Sequence, residues 1–183
     1  IDDPKVDAER SKVDINDPLP SLVMNPANPW VAQEWIKGKK YCSYSIAHEG
    51  LLSAHSVYPI HFSIDESSGL NFKAIEHPKI FDWVKAFVKK EYFTGQIAFD
   101  FIEKENGGLY AIECNPRGTS GIHLFHKQDR LDSAFFNPPE KIIQPKLGAS
   151  KQIAFGMLLY GWKKKNFKLF LKELFTNVDI IFS

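Results

Sequence analysis

The chain has 183 residues, 44% hydrophobic and 14% aromatic, which is enough apolar material for one sizeable core and excludes a disordered chain. Its 23 basic and 22 acidic residues nearly cancel to a net charge of +1, which argues against a nucleic-acid partner. The two cysteines lack partners at metal-ligand spacing, and no apolar run approaches the roughly 20 residues of a membrane span. We therefore expect a cytoplasmic protein with no membrane partner.

The predicted elements define an α+β fold, an antiparallel β-sheet with packed helices. Residues 1–29 are rich in Asp, Pro, Asn and Ser and predict an irregular N-terminal segment, interpreted as the end of a missing lobe. Residues 30–183 would form one further lobe. It opens with three strand-like runs, VAQEWIKG, KYCSYSIAHEG and LLSAHSVYPIHF. Apolar residues at helical spacing then predict an amphipathic helix over 77–92 that covers one face of the sheet.

The C-terminal tail predicts helices over 151–161 and 165–176 and a last strand in VDIIFS. The segment GWKKKNFKLFLKELF could also be a basic surface helix for anionic membranes. A solvated lysine face over a packed Phe/Leu face is the commoner arrangement, and we favour it.

A predicted hairpin over 94–115 carries the strongest functional signal. Asn106-Gly107 favours a two-residue turn, and the resulting register places Asp100 opposite Glu113 and Ala98 opposite Asn115. Alternation then puts Asp100, Glu113 and Asn115 on one face of the hairpin. The opposite, apolar face would hold Phe99, Phe101, Ile112 and Cys114, with Phe101 opposite Ile112.

Two opposed carboxylates with Cβ atoms about 5 Å apart repel each other, and a divalent cation would neutralise them. Carboxylate and amide oxygens suit Mg²⁺, with Mn²⁺ as an alternative, and ATP phosphates are the natural co-ligand. Arg117 follows at the same end of the hairpin and could pair with a phosphoryl or carboxylate oxygen. The alternative interpretation is an ordinary edge hairpin with solvent-facing charges.

The segment AFDFIEKENGGLYAIECNPRGTSG resembles the end of the ATP-grasp fold, whose signature is an acidic residue in one strand and Glu-x-Asn-(Pro)-Arg in the next. The resemblance covers roughly residues 30–127 and is nearest to the carbamoyl-phosphate-synthase-like and biotin-carboxylase-like members. It implies the C-terminal lobe of that fold, with metal ligands Asp100, Glu113 and Asn115 and a catalytic Arg117. The first lobe would have to come from a longer protein or a partner subunit.

In the same family, the strand corresponding to VAQEWIKG leads into the linker that clasps adenine. The resemblance implies that Gln33 supplies a side chain and that Glu34 and Ile36 supply backbone contacts, while Trp35 packs within this nucleotide-binding segment. The family often places an acidic ribose contact after the glycine, but here Gly38 is followed by Lys39 and Lys40. Nucleotide orientation is therefore expected to differ.

The resemblance implies an ATP-dependent ligase that activates a small carboxylate substrate as an acyl phosphate for attack by an amine or another nucleophile. We expect this chain alone to be inactive. One alternative is a non-catalytic nucleotide-sensing or scaffold domain, which Lys39 and Lys40 mildly favour. A less favoured one is a metal-dependent phosphoesterase or nuclease, for which His123 and His126 are the only support.

Overall fold

The computed structural model describes residues 33–60, 62–63, 69–136, 140–153 and 179–181. The chain divides into two compact units, residues 1–36 and 37–183, and Gln33–Ile36 is the described part of the first unit. The N-terminal segment 1–29 and the helix expected over 165–176 lie outside the described residues, as does most of the helix expected over 151–161.

The strands are β1 Lys39–His48, β2 Leu51–Pro59, β3 Phe62–Ser63, β4 Gly69–Lys73, β5 Gly95–Glu103, β6 Leu109–Asn115, β7 Ser150–Ile153 and β8 Asp179–Ile181. One sheet has the order β2-β1-β5-β6 and is antiparallel throughout. The other has the order β3-β4-β7-β8, with β7 and β8 parallel. The helices are α1 Pro78–Lys90 and the short α2 Ser133–Phe136, with a 3₁₀ turn at Ser120–Leu124. These elements confirm the predicted α+β fold class.

The helix predicted over 77–92 is confirmed as α1, which begins after the N-cap His77. Its Ile80, Val84 and Val88 are completely buried and lie one helical turn apart, which gives the helix one apolar face. That face packs against Phe99 and other core residues of the first sheet. Burying side chains of this kind stabilises the fold by about 1.5–3 kcal/mol each.

Two predicted elements are wrong in the parts that the structure describes. Gln33–Lys37 is irregular, and the first strand among the described residues begins at Lys39. Gln33, Glu34 and Trp35 are exposed, so this part of VAQEWIKG does not form the predicted strand. Ser150–Ile153 is a strand rather than the start of a helix, because β4 and β8 pair with it on both sides. A segment of this length shows neither a helical nor a strand period clearly, and tertiary pairing decides its structure.

Within the described ranges, no helix combines the length and the apolar character that crossing a membrane requires.

Candidate active site on the carboxylate hairpin

The β5–β6 hairpin places the predicted site residues on an edge of the first sheet. Asp100 is paired with Glu113, and Ala98 with Asn115, as the sequence predicts. Because directly opposed residues share a face, the Asp100 and Glu113 side chains leave the sheet on the same side. Asn115 lies two residues after Glu113 and therefore on that side as well.

The hairpin reaches this register by a different route from the predicted one. Lys104 and Gly108 close a loop of three residues rather than two, with Gly107 at φ +81°. This loop shifts the pairing by one residue, so that Phe101 lies opposite Ala111 and not Ile112. A β-bulge after Asp100 contains Ile112 as the extra residue and restores the register at Glu113. The two irregularities compensate each other.

The predicted apolar face of the hairpin is only partly correct. Phe99 and Phe101 are 2% and 1% exposed, and the ring of Trp83 in α1 meets both edge-on. Cys114, however, is exposed and Ile112 is half-buried. Strand β6 is the sheet edge, and the aromatic contacts of α1 reach β5 and not Cys114.

The face of the first sheet that carries Asp100 and Glu113, here called the site face, also carries a row of side chains that runs across all four strands. Tyr58 of β2 is paired with Cys42 of β1, Cys42 with Asp100 of β5, and Asp100 with Glu113 of β6. Tyr58 is buried, Cys42 and Asp100 are half-buried, and Glu113 is exposed. The row therefore leads from the core to the open edge of the sheet, with its acidic end in solvent.

The neighbours of Asp100 act on its charge in opposite directions. Burial raises the pKa of Asp100, and the facing Glu113 carboxylate raises it further. A hydrogen bond from Cys42 Sγ to Asp100 Oδ1, 2.8 Å long, favours the charged form, as do the charges of Arg117 and Lys40. The net effect is a raised pKa of Asp100, with burial as the largest cause.

Arg117 extends from the chain immediately beyond β6. Its backbone N–H donates to Asn115 O at 2.8 Å, and its exposed guanidinium donates to Gly118 O at 3.3 Å. The guanidinium is close enough to Asp100 to lower the pKa of that carboxyl. The structure thus brings Arg117 to the acidic end of the row, where an anionic ligand could engage it.

The loop after Arg117 passes close over the site face of the sheet. A Cβ on Gly121 would lie 2.5 Å from Tyr44 Cβ and 3.0 Å from Tyr58 Cε1, so only glycine fits there. Tyr44 is buried and donates from its hydroxyl to Gln96 Oε1 at 2.7 Å. Gln96 in turn lies under Gly118. These contacts fix the base of the loop that carries Arg117.

The potential metal ligands at the acidic end are two carboxylates and an amide oxygen. These oxygen ligands are of the type that a hard divalent cation prefers, and such a cation requires no imidazole or thiolate. Among the described residues, no three His, Cys, Asp or Glu side chains are grouped closely enough to hold a metal ion. Asp100 and Glu113 therefore lack a third acidic or imidazole ligand in this part of the chain. Such a site needs oxygen atoms from a co-ligand or water to complete the coordination of an ion.

The remaining predicted residues lie elsewhere or have other surroundings. Gln33, Glu34 and Trp35 are exposed and Ile36 is half-buried, in the unit formed by residues 1–36. Their nucleotide contacts remain a prediction. Lys39 and Lys40 begin β1, and the Lys40 charge acts on Asp100.

The histidines of the nuclease alternative do not join the two carboxylates. His123 is exposed on the 3₁₀ turn, and His126 lines a cavity of about 440 Å³ together with Phe125, Lys127 and Arg130. Since no group of three potential ligands occurs among the described residues, neither histidine forms a metal site with Asp100 and Glu113.

Sequence reasoning did not place Cys42, Tyr58 or Lys40 beside Asp100. The pairing of β1 with β5 brings Cys42 next to Asp100, 58 residues away along the chain, and the pairing of β1 with β2 adds Tyr58. The alternation in KYCSYSIAH does place Lys40, Cys42 and Tyr44 on one face of a strand. What the sequence lacks is a local signal for which strand lies beside it.

No protein-family model matches the sequence, and no curated protein matches it. The chain is similar to solved structures of ATP-grasp enzymes, the family that its hairpin motif resembles. One is the biotin carboxylase domain of the Hydrogenobacter thermophilus 2-oxoglutarate carboxylase, in complex with MgADP, ADP and bicarbonate, at 16% identity and a TM-score of 0.44. The match covers 63% of this chain and 29% of that one.

Two other solved structures that are similar to this chain are of enzymes with other activities in their names. N5-carboxyaminoimidazole synthetase from Staphylococcus aureus, complexed with ADP, is 12% identical with a TM-score of 0.42, over 61% of this chain and 33% of that one. L-amino acid ligase from Bacillus licheniformis is 18% identical with a TM-score of 0.40, over 56% and 30%. This chain thus spans about a third or less of each. With identities below 25% and TM-scores below 0.5, these likenesses assign it neither an activity nor a substrate.

Proposed function

We propose that residues 30–183 form the C-terminal lobe of an ATP-grasp ligase and bind Mg²⁺ and ATP at the acidic end of the hairpin. The observation that carries the proposal is the pairing of Asp100 with Glu113, with Asn115 and Arg117 following at the same end. A buried or half-buried carboxylate facing another carboxylate is unfavourable without a cation, and a raised pKa at Asp100 agrees with this.

Each residue has a distinct part in the proposal. Asp100, Glu113 and Asn115 would hold the ion through oxygen atoms, with ATP phosphates and water as the other ligands. A bound Mg²⁺ would neutralise part of the negative charge of the phosphates. Arg117 carries a permanent charge on an exposed side chain and would hold a phosphoryl oxygen of the transferred group.

The proposal extends to a reaction and to a second part of the protein. The reaction is activation of a small carboxylate as an acyl phosphate, which an amine or another nucleophile then attacks. Gln33, Glu34 and Ile36 would contact the adenine, with Trp35 packed within the same nucleotide-binding segment. A further lobe, in the same longer protein or in a partner subunit, would cover the phosphates. Turnover is expected only when that lobe is present.

Calorimetric titration of MgATP and MgADP into the chain tests the nucleotide site. The double variant Asp100→Asn/Glu113→Gln should lose the metal-dependent part of binding, because it removes both carboxylate charges without changing side-chain size. Glu105→Gln is the matched control, since Glu105 is an exposed acid at the tip of the same hairpin. Equal binding by all three proteins would overturn the metal assignment.

A further inference from the structure

Cys42 holds a central place in the row that leads to Asp100. It lies on β1, between Tyr58 on one neighbouring strand and Asp100 on the other. Its thiol donates to Asp100 Oδ1 at 2.8 Å, a short distance for a sulfur donor. The thiol remains protonated, since burial and the Asp100 charge both raise the pKa of Cys42.

The surroundings of Cys42 restrict its movement. The side chain packs against an apolar cluster of Tyr58, Phe72, Ala74 and Leu124, all of them buried. The donor at the end of that side chain is consequently fixed by packing on β1, while its acceptor lies on β5. The half-buried Asp100 is thus hydrogen-bonded to a rigid group of the core, whereas the exposed Glu113 lies on the sheet edge.

A carboxylate has two oxygens and rotates freely about its last bond unless one oxygen is held. With Oδ1 occupied by the Cys42 thiol, the direction of Oδ2 is also set. Donors of this kind, which touch a metal ligand but not the metal, commonly change metal affinity by 10–100-fold when removed.

We propose that Cys42 is a positioning residue that orients Asp100 as a ligand, so that Oδ2 is presented to the cation beside Glu113. This inference rests on the proposed metal site. It concerns the thiol only as a hydrogen-bond donor, and Cys42 itself is not a ligand.

The test measures binding of Mn²⁺ by electron paramagnetic resonance, with and without ATP, in three forms of the chain. Cys42→Ser keeps a donor but loses the sulfur's packing, and Cys42→Ala loses both. We expect the alanine variant to bind Mn²⁺ about tenfold more weakly than the wild type, and the serine variant to stay within about threefold of it. A merely structural role would weaken the serine and alanine variants alike, and that result would overturn the inference.

Asp100→Asn/Glu113→Gln separates this inference from the proposed function. If the wild type binds Mn²⁺ no better than that double variant, the metal site itself is wrong and the inference falls with it. If the double variant loses binding while Cys42→Ala binds as well as the wild type, the metal site stands and the role of Cys42 is overturned.

An infrared measurement provides a readout independent of the metal. In a Cys114→Ser background Cys42 is the remaining thiol of the two in the chain. Its S–H stretching band should shift when Asp100 is changed to alanine, because the acceptor is removed. An unchanged band would show that the thiol does not donate to Asp100 and would overturn the inference.

Discussion

Asp100 and Glu113 face each other across β5 and β6, on the strand pair that forms the edge of the first sheet. Asp100 also accepts a hydrogen bond from the core thiol of Cys42, whereas Glu113 is exposed. The two carboxylates are therefore inequivalent: one is anchored and half-buried, the other free to adjust to a ligand. Their mutual repulsion is the physical basis of the predicted cation site.

The raised pKa of Asp100 predicts how stability depends on pH without a cation. Because the folded chain binds the Asp100 proton more tightly than the unfolded chain does, stability from this group falls as pH rises through the window above the ordinary aspartate value of 3.8. Asp100→Asn removes that loss and still offers an oxygen to Cys42. We expect this variant to gain stability relative to the wild type between acidic and neutral pH.

Urea unfolding in a chelating buffer, at several pH values, measures this difference. The exposed pair Arg130 and Asp132 offers the control Asp132→Asn, because that carboxyl has a lowered pKa and should show the opposite trend. A stability difference between Asp100→Asn and the wild type that is independent of pH would contradict the prediction.

Burial of His55 predicts a second dependence of stability on pH, opposite in direction to that of Asp100. It is 3% exposed, bonds through Nδ1 to Ser45 Oγ at 2.9 Å, and burial lowers its pKa from 6.5 to about 4. The unfolded chain therefore binds this proton more tightly, and stability is lost as pH falls from 6.5 towards 4. The loss should be on the order of 3 kcal/mol, because one pKa unit corresponds to about 1.4 kcal/mol.

The imidazole resonances of His55 in an NMR titration provide the measurement. The ring should remain neutral as pH falls through 6.5 and gain its proton only near 4. Protonation close to pH 6.5 would show that His55 is not held neutral by the fold.

A side chain at position 121 would fill the space under the loop that carries Arg117, and Gly121→Ala tests the consequence. Alanine there would place its Cβ 2.5 Å from Tyr44 Cβ, which the backbone of β1 holds in place. We expect Gly121→Ala to cost about 1–3 kcal/mol, the range for overpacking a core. It should also displace Arg117 and weaken nucleotide binding. Thermal unfolding and calorimetry measure the two effects.

Gly118→Ala is the matched control in the same loop. Its Cβ would meet the side-chain oxygen of Gln96 at 3.1 Å, a group at the end of a flexible side chain. Its effect on stability should be smaller than that of Gly121→Ala. Equal losses in the two variants would mean that the close approach to Tyr44 does not decide the position of the loop.

Two features of the fold follow from local sequence signals. Helix α1 follows from its apolar period, and the pairing of Asp100 with Glu113 follows from hairpin geometry. That pairing was predicted through a two-residue turn, and it holds because the bulge at Ile112 offsets the longer loop. The agreement at Asp100 thus depends on two features that the sequence did not indicate.

The errors share a physical cause. Gln33–Lys37 and 151–153 are short segments that show neither a helical nor a strand period clearly, so their structure depends on which segments lie beside them. Cys42 was missed for the same reason, because its partner Asp100 is 58 residues away and the pairing of β1 with β5 is non-local. Local sequence chemistry predicts the acidic residues of the candidate site, whereas their neighbours on other strands can be found only from the fold.

Paramagnetic line broadening by Mn²⁺ tests the central claim most directly. With substoichiometric Mn²⁺ and ATP present, the amide resonances of Asp100, Glu113 and Asn115 should broaden first, while those of Val84 and Val88 on α1 stay sharp. The double variant Asp100→Asn/Glu113→Gln should abolish this local effect. Broadening centred elsewhere, or unchanged in the double variant, would contradict a metal site on the carboxylate hairpin.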